Sequence, residues 1–486
     1  MRATGIGFIL FMVSAALAGE LKPPRVFGAG SFPFGVAVGD FNEDGKLDLA
    51  VANSNLLSQQ TSSLGVFLGN GDGTLQPMAA YQVGRTPRAV VAGDFNGDGH
   101  LDLAVANQDG FVSVLLGDGH GNFQNAVNFA AGASPLSIAA GDFNGDHVLD
   151  LAVANFVEKA AAGQVTVLIG NGDGTFRPPV QYAAGVVPQA ITVGDIDGDG
   201  RPDLVVANDG YGNIPGKVGV LLGQGDGTFG AMQEYGAGVN PFSIALGDFN
   251  GDGSLDVVVT DETQLRVEVL LNDGKGGFKP AVAYPTGQNP FSVAVGDVNG
   301  DGALDLVVAN MADGTVSVLL GTGKGTFQTG TAYSAGLEVA TSVSPQAVAL
   351  GDFNGDGHPD VAVANATLPR GTVGLLINTG SAALLVSPTV LSYVSTQVGT
   401  SSTPATVTLR NNSKVSLPIG GIGVAGMDRS DFLESDTCAS SLAAHATCSI
   451  SITFHPEQKG ERSAVLAIGD GAPDSPQKVL LIGSGQ

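Results

Sequence analysis

The chain has 486 residues, of which 43% are hydrophobic and only 14% charged, so it is long enough for two or three domains with buried interiors. That composition excludes a largely disordered chain. The formal net charge of −25 and the pI near 4.3 argue against nucleic acid or an anionic membrane as partner and favour cations.

Residues 1–18 are predicted to be a secretory signal peptide. Arg2 precedes an apolar run from Ile6 to Leu17, and Ala16-Leu17-Ala18 has the small residues of a cleavage site. The alternative is a buried first helix or strand. The run is too short for a comfortable membrane span, and no later segment is apolar enough for one. We therefore expect a protein that is secreted or exposed at the cell surface, with no transmembrane span after processing.

A nine-residue acidic motif, DFNGDGHLD at Asp94–Asp102, recurs seven times along the chain. The copies start 48 to 55 residues apart, at Asp40, Asp94, Asp142, Asp195, Asp248, Asp297 and Asp352. A period near fifty residues that is filled with short β-type runs indicates a propeller or a solenoid.

Each period contains four short runs rich in Val, Ala and Leu and bounded by Gly, Asn and Asp, which is typical of strands and hairpins. The fourth run ends with an aromatic residue, two further residues and a glycine, as in Tyr81–Gly84. This signature follows each of the first six motifs, and its seventh copy, Phe27–Gly30, stands ahead of the first motif. The sequence therefore predicts an all-β fold in which residues 19–380 form a seven-bladed β-propeller, with the N-terminal strand closing the last blade.

The motif carries the oxygen ligands that Ca²⁺ prefers. Positions 1, 3, 5 and 9 are Asp, Asn or Asp, Asp and Asp in all copies, whereas position 7 varies freely and can contribute only its backbone carbonyl. Position 6 is Gly in six copies, as a turn with positive φ requires. His147 replaces that glycine in the third copy, so a weaker or distorted site is predicted there. Because the motif lacks a Glu at position 12, it is not a helix–loop–helix calcium site.

We therefore predict up to seven Ca²⁺ ions, one for each blade. The alternatives are simple turn formation, which does not explain seven acidic copies, Mg²⁺, which retains more of its water, and Zn²⁺, which prefers Cys or His. The predicted side-chain ligands are Asp40, Asn42, Asp44, Asp48, Asp94, Asn96, Asp98, Asp102, Asp142, Asn144, Asp146, Asp150, Asp195, Asp197, Asp199, Asp203, Asp248, Asn250, Asp252, Asp256, Asp297, Asn299, Asp301, Asp305, Asp352, Asn354, Asp356 and Asp360. The predicted carbonyl ligands are Lys46, His100, Val148, Arg201, Ser254, Ala303 and His358.

Together with LDLAVAN and LGNGDGTF, the motif GDFNGDG resembles the FG-GAP repeats of integrin alpha-subunit propellers and of bacterial VCBS-type secreted proteins. The resemblance covers roughly residues 25 to 380. It implies a seven-bladed propeller with calcium between the first and second strands of its blades. It also implies adhesion, ligand recognition or carbohydrate binding without selecting one of them.

Residues 381–486 lack the acidic motif and alternate apolar with polar residues, which predicts an immunoglobulin-like β-sandwich. The segments VTLRNNS (407–413) and ITFHPEQKGERSAVL (452–466) resemble ASPM-SPD-2-Hydin and choice-of-anchor D domains. The two cysteines, Cys438 and Cys448, are expected to form a disulfide in an oxidising compartment. Free thiols or half of a metal site are the alternatives, but no companion ligands stand at useful spacing.

No motif of a nucleophilic, phosphate-binding or zinc-dependent enzyme is present, and seven equivalent acid pairs indicate structure rather than a single active site. We expect no catalysis, with a secreted hydrolase or lyase as the least favoured alternative. The favoured function is adhesion or protein–protein interaction with a surface partner. A lectin-like glycan binder is the second hypothesis, although the lack of Trp leaves few platforms for sugars.

Overall fold

The computed structural model describes residues 21–54, 62–157, 162–210, 214–336, 343–366, 370–380, 384–388, 390–411, 416–444, 446–470 and 476–486. The predicted signal peptide, residues 1–18, lies outside these ranges. The chain divides into two compact units at the boundary between Thr379 and Gly380. Across the ranges described, no helix is long and apolar enough to cross a membrane.

The first unit consists of short antiparallel strands. The first half contains β1 (Arg25–Gly28), β2 (Pro33–Gly39), β3 (Asp48–Asn53), β4 (Ser63–Phe67), β5 (Ala79–Gln82), β6 (Pro87–Gly93), β7 (Asp102–Asn107), β8 (Phe111–Leu115), β9 (Val127–Ala130), β10 (Pro135–Gly141), β11 (Asp150–Asn155), β12 (Ala162–Leu168) and β13 (Val180–Val186). The second half contains β14 (Pro188–Gly194), β15 (Asp203–Asn208), β16 (Lys217–Leu221), β17 (Gln233–Gly236), β18 (Pro241–Gly247), β19 (Asp256–Asp261), β20 (Arg266–Leu270), β21 (Val282–Pro285), β22 (Pro290–Gly296), β23 (Asp305–Asn310), β24 (Thr315–Leu319), β25 (Thr331–Ser334), β26 (Pro345–Gly351), β27 (Asp360–Asn365) and β28 (Thr372–Leu376).

Within the described residues, these strands form seven four-stranded sheets, one for each acidic motif. Six sheets consist of four consecutive strands, beginning with β2 to β5. The seventh pairs β26, β27 and β28 with β1, and Phe27 lies opposite Val373. The prediction that the N-terminal strand completes the last sheet is therefore confirmed.

The sheets stack face to face and bury their second strands completely. In β7, residues Leu103 to Ala106 have 0% exposure, as expected when neighbouring sheets cover both faces. Leu64 of the first sheet packs with Leu103 and Leu115 of the second in one apolar cluster. The first strands contact one another in chain order, and β26 contacts β2, so they form a closed inner ring in a propeller-like arrangement.

Aromatic trios also join neighbouring sheets. Phe41 and Tyr81 of the first sheet meet Phe123 of the second edge to face, with ring centroids 5.7 and 5.5 Å apart. Position 2 of the acidic motif supplies the first ring and the fourth strand supplies the second. The third comes from the glycine-rich turn of the next sheet. The aromatic in the fourth-run signature is thus a contact between sheets.

The second unit is described by itself. It contains β29 (Leu384–Ser387), β30 (Val390–Ser392), β31 (Ala405–Asn411), β32 (Leu417–Ala425), a 3₁₀ turn (Arg429–Asp431), β33 (Phe432–Asp436), β34 (Ser441–Leu442), β35 (Thr447–Phe454), β36 (Gly460–Asp470) and β37 (Gln477–Gly485). One sheet has the order β29-β31-β35-β33 and the other β30-β37-β36-β32-β34.

The two sheets of this unit share a single apolar core. Val407 and Leu409 of β31 are buried between exposed polar residues and pack in one cluster with Leu466 of the other sheet. A disulfide joins Cys438 to Cys448, so the predicted pairing is confirmed. The strand-rich architecture is also confirmed, whereas the immunoglobulin-like classification stays a prediction.

Deleting residues 21–30 removes β1 and leaves β28 with an unpaired edge. We expect the melting temperature to fall by at least about 5 °C, because the lost strand contacts cost a few kcal/mol and 1 kcal/mol corresponds to roughly 2–4 °C in a large domain. Calorimetry measures the shift. Gly28→Ala, whose added Cβ meets no atom within 4 Å, is the control and should melt like the wild type. A deletion variant that melts at the wild-type temperature would contradict strand closure.

Candidate metal sites

Each acidic motif forms the turn between the first and second strands of its sheet. Asp94 to Leu101, for example, connect β6 to β7, and Asp102 is the first residue of β7. Phe95 at position 2 is 1% exposed and holds the turn against the core. The structure therefore brings the predicted ligands of each motif together in one turn and keeps the seven motifs in separate turns.

Backbone N–H groups of the turn donate hydrogen bonds to the side chains at positions 1, 3 and 5 and hold their oxygens within the turn. In the second turn, Asp94 Oδ2 accepts a hydrogen bond from Gly99 N–H at 2.9 Å. Asn96 Oδ1 accepts one from Asp98 N–H at 3.0 Å, and Asp98 Oδ1 accepts one from His100 N–H at 2.9 Å. These three bonds recur at the equivalent positions of all seven turns.

The aspartate at position 9 is fully buried in every sheet. Asp102 Oδ2 accepts a hydrogen bond from Phe95 N–H at 2.9 Å, and its Oδ1 accepts one from Gly117 N–H at 2.8 Å. Gly117 follows the third strand, so one carboxylate joins the acidic turn, the second strand and the third strand. The same pair of bonds recurs in the other six sheets.

Burial raises the pKa of these carboxyl groups. The pKa of Asp102 rises to about 6, and those of Asp305 and Asp360 rise to about 7. Repulsion from the aspartates at positions 1 and 5 adds to the effect of burial, whereas the two backbone hydrogen bonds oppose it. The ionised form is therefore costly at this position unless positive charge is brought near it.

The fourth turn gathers its carboxylates most closely. Oxygen atoms of Asp195, Asp197 and Asp203 all lie within 4.8 Å of one another. Position 3 is Asp in this copy and Asn in the other six. An amide oxygen replaces the carboxylate oxygen at that position in the remaining turns. This lowers the negative charge of those turns but keeps an oxygen atom that could bind a cation.

Two positions of the turn have left-handed backbone conformations. Position 6 does so as predicted, with φ of 89° at Gly99 in the second turn. His147, at the equivalent position of the third turn, has φ of 67°. His147 N–H still donates to Asp142 at 2.8 Å, so the predicted distortion of the third turn is absent from its backbone. A weaker affinity there stays a prediction. Position 4 also has positive φ, with Glu43 at 57° in the first turn, which the sequence reasoning missed.

The side chains at position 7 make varied contacts, whereas the backbone there is uniform. Lys46 Nζ lies 3.0 Å from Asp44, and Arg201 forms an ion pair with Asp199, so both cations contact the position-5 carboxylate of their own turn. His100 instead lies 2.5 Å from Glu43 of the preceding turn. A metal ion has to share position 5 with a cationic side chain in the first and fourth turns.

Each turn is also hydrogen-bonded to the next sheet, a link that the sequence reasoning missed. The carbonyl of Phe41 accepts a bond from Gly121 N–H at 2.9 Å, and that of Phe95 accepts one from Gly174 N–H at 3.1 Å. The Asn272 side chain donates to the Ile196 carbonyl at 2.8 Å in the fifth sheet. The third glycine of the repeated LGNGDGT turn is the signal that could have revealed this contact.

The residues present fit a hard divalent cation. Positions 1, 3, 5 and 9 offer carboxylate or amide oxygens, and each carboxylate keeps at least one oxygen with a lone pair that no backbone N–H group uses, such as Asp94 Oδ2, which accepts a single bond. The buried position-9 group adds a charge that a cation would stabilise. Such all-oxygen sets suit Ca²⁺ better than Zn²⁺.

Comparison with solved structures finds similar chains at low identity, and the first of them has a similar fold over most of its length. BBS1N, in its complex with ARL6DN soaked with mercury, is 14% identical with a TM-score of 0.51, covering 75% of this chain and 99% of that one. A functionally unknown protein from Desulfotomaculum acetoxidans DSM 771 is 13% identical with a TM-score of 0.47, covering 66% and 93%. The ASH/PapD-like domain of human CEP192 (PapD-like domain 7) is 18% identical with a TM-score of 0.18, covering 22% and 87%.

Comparison at the sequence level shows the family. No curated protein matches the chain significantly. The FG-GAP-like repeat matches residues 53–105, 94–153, 156–206, 195–259, 248–308 and 297–363, and the FG-GAP repeat matches residues 32–63. These matches cover more than half of the chain and coincide with the acidic turns and their sheets. The chain therefore belongs to the FG-GAP repeat family.

Proposed function

We propose that the protein is a secreted or surface-exposed calcium-binding propeller that mediates adhesion or another protein–protein interaction and has no catalytic role. The observation that carries the calcium proposal is the sevenfold recurrence of one hydrogen-bonded turn whatever residue stands at position 7. Repeats of this family in integrin-like propellers often bind Ca²⁺. Export is supported by the apolar N-terminal segment and by the disulfide.

In this proposal the side chains at positions 1, 3, 5 and 9 and the carbonyl at position 7 hold each ion. Bound Ca²⁺ supplies positive charge among carboxylates that otherwise repel one another. The chain's own residues do the rest: the backbone amides orient the oxygens, and the buried aspartate fastens the turn to its sheet. The ions have a structural role, because seven equivalent sites leave no single reactive centre.

The seven sites are not expected to be equal. The fourth turn has the most negative donor set, but Arg201 contacts its Asp199. Lys46 contacts Asp44 in the first turn, and His147 occupies the glycine position of the third turn. We expect the second, fifth, sixth and seventh turns, which lack both features, to bind most tightly.

A protein partner is favoured over a glycan by the placement of the aromatic side chains. Tyr182 and Phe229 pack against each other between sheets, and Phe249 packs on Phe327 in the same way. Rings held in this way are not available as flat platforms for sugars. BBS1N, which has a similar fold, was crystallised in complex with ARL6DN.

Calcium removal is expected to lower the thermal stability of the whole first unit. Ca²⁺ that binds only the native state adds about 2.7 kcal/mol per site at a hundredfold excess over Kd. Melting in Ca²⁺ and in chelator measures the change, and calorimetric titration counts the ions. Mg²⁺ at the same concentration is the control and should shift the transition less. Identical curves in Ca²⁺ and chelator would refute the calcium proposal.

Two substitutions in the sixth turn separate the architectural and ion-binding roles. Asp305→Asn disturbs the two buried backbone bonds, so it should destabilise the protein by about 2–4 kcal/mol even in chelator. Asp301→Asn at the exposed position 5 keeps an amide oxygen for Ala303 N–H and should matter only in Ca²⁺. Denaturant unfolding in both conditions provides the measurement. If Asp301→Asn were equally harmful in chelator, its role would be structural instead.

Partner class is tested with the calcium-loaded protein on a glycan array and as bait for native secretions or envelope proteins. We expect no glycan hits and at least one protein that is retained in Ca²⁺ and released by chelator. The Asp301→Asn variant shows whether release follows ion loss at a single turn. Glycan hits that disappear in chelator would replace this proposal with the lectin hypothesis.

A further inference from the structure

The end of the inner ring that lies away from the acidic turns encloses a second distinctive site. Each first strand begins with proline, and the next residue lines a cavity of about 190 Å³. These seven residues are Phe34, Arg88, Leu136, Gln189, Phe242, Phe291 and Gln346. We call them the ring residues. The acidic turns repeat almost unchanged, whereas the ring residues differ between sheets.

Arg88 is the one charged side chain among the described residues that line this cavity. Its guanidinium carbon lies 3.9 Å from the centre of the Phe34 ring, so the cation stacks on an aromatic face. The Arg88 guanidinium forms no hydrogen bond or ion pair with another described residue. Burial alone lowers its pKa to about 10, so it stays protonated at neutral pH. A partly desolvated cation without an anionic partner is costly.

Apolar groups form other parts of the cavity wall. Phe242 and Phe291 face each other with ring centroids 3.9 Å apart at 37°. Leu136, which is 9% exposed, lines another part of the wall. Gln189 and Gln346 add amide groups that bond to Asp209 and Ser344. The cavity thus combines one guanidinium with aromatic and aliphatic surface, which is how an organic anion is held.

The acidic turns do not repel an anion at this place. A first strand such as Pro33–Gly39 has seven residues, so its two ends lie roughly 20 Å apart. Charge is screened over about 8 Å at physiological ionic strength. The local field at the ring residues is therefore set by nearby groups, which include Arg88 inside the cavity and Asp209 behind the Gln189 amide at 3.2 Å, and not by the acidic turns.

We propose that the ring residues bind a small organic monocarboxylate, with the carboxylate on the Arg88 guanidinium and an apolar body against Phe242 and Phe291. Arg pairs with carboxylates in a planar, two-pronged geometry. The cavity volume limits the size of the ligand, because an apolar cavity of roughly 150 Å³ holds a benzene molecule. Benzoate is a probe of this size and chemistry.

Titration of the full chain with sodium benzoate, in excess Ca²⁺ so that the acidic turns stay loaded, tests the site by NMR or calorimetry. We expect saturable binding of one benzoate with a Kd of about 1 mM or tighter. Benzamide, which has the same shape without charge, should bind at least about tenfold more weakly. Absence of saturable benzoate binding, or equal binding of benzamide, would overturn the proposal.

Arg88→Gln removes the charge from the cavity and should weaken benzoate binding at least about tenfold. Arg85→Gln removes the same charge from an exposed position three residues away and should bind like the wild type. Equal affinities of these two variants would contradict the site. If Arg88→Gln does not fold, the comparison of benzoate with benzamide on the wild type still tests whether binding requires the carboxylate charge.

The carboxylate has two sources, a free metabolite or the C-terminus of a peptide. A short peptide that ends in Phe, compared with its amidated form, distinguishes them. Benzoate binding without preference for the free peptide terminus supports a free small carboxylate. Preference for the free terminus, lost in Arg88→Gln, supports the same carboxylate site with a chain end as its ligand.

Discussion

The first unit depends on the aspartate at position 9 of each acidic motif, a carboxylate that is buried where its ionised form is energetically costly. In the fifth sheet, Asp256 has 0% exposure and accepts hydrogen bonds from Phe249 N–H at 3.0 Å and Asn272 N–H at 2.7 Å. These two amides would otherwise be buried donors without partners, so one side chain satisfies both and joins the turn to two strands. Because the arrangement recurs in each described sheet, its cost is also repeated, and burial raises the pKa of the group each time.

The same carboxylate connects ion binding to the architecture. The turn that it anchors offers its position-2 carbonyl to the next sheet, as Phe143 does to Gly227 at 2.9 Å, and its position-2 ring packs on Phe229. A cation held by the turn therefore acts on groups that fasten one sheet to its neighbour. In a closed ring each sheet is constrained from both sides, so an ion bound at one turn, as proposed above, would stabilise contacts beyond its own sheet.

Sequence periodicity was sufficient for the features that repeat. Strand order, the position of the acidic turns and the pairing of Phe27 with the last sheet all followed from counting motifs and noticing where one signature was displaced. Periodicity was insufficient for features that are imposed by contact with a residue distant in sequence. The glycine of the fourth-run signature is one example, because a Cβ at Gly84 would lie 2.7 Å from the buried Asn107 side chain. The left-handed backbone of Glu43 was missed for a different reason, because the six other copies have Gly at that position and the repeat itself therefore indicated positive φ there.

The cavity at the ring residues was unpredictable for the same reason, since Phe34, Arg88 and Phe291 converge only when the ring closes. The position of this cavity nevertheless bears on function, because it is lined by residues that differ from one sheet to the next. In a repeat protein, residues that recur in every copy satisfy requirements common to all copies, here the geometry of the acidic turn and the contacts between sheets. Recognition of one particular ligand requires residues that differ between copies. The acidic turns are too alike to discriminate, whereas the residue after each proline is Phe, Arg, Leu, Gln, Phe, Phe or Gln. Selectivity in this first unit therefore has its best chemical basis at the end of the inner ring away from the acidic turns, where an unpaired guanidinium meets aromatic surface.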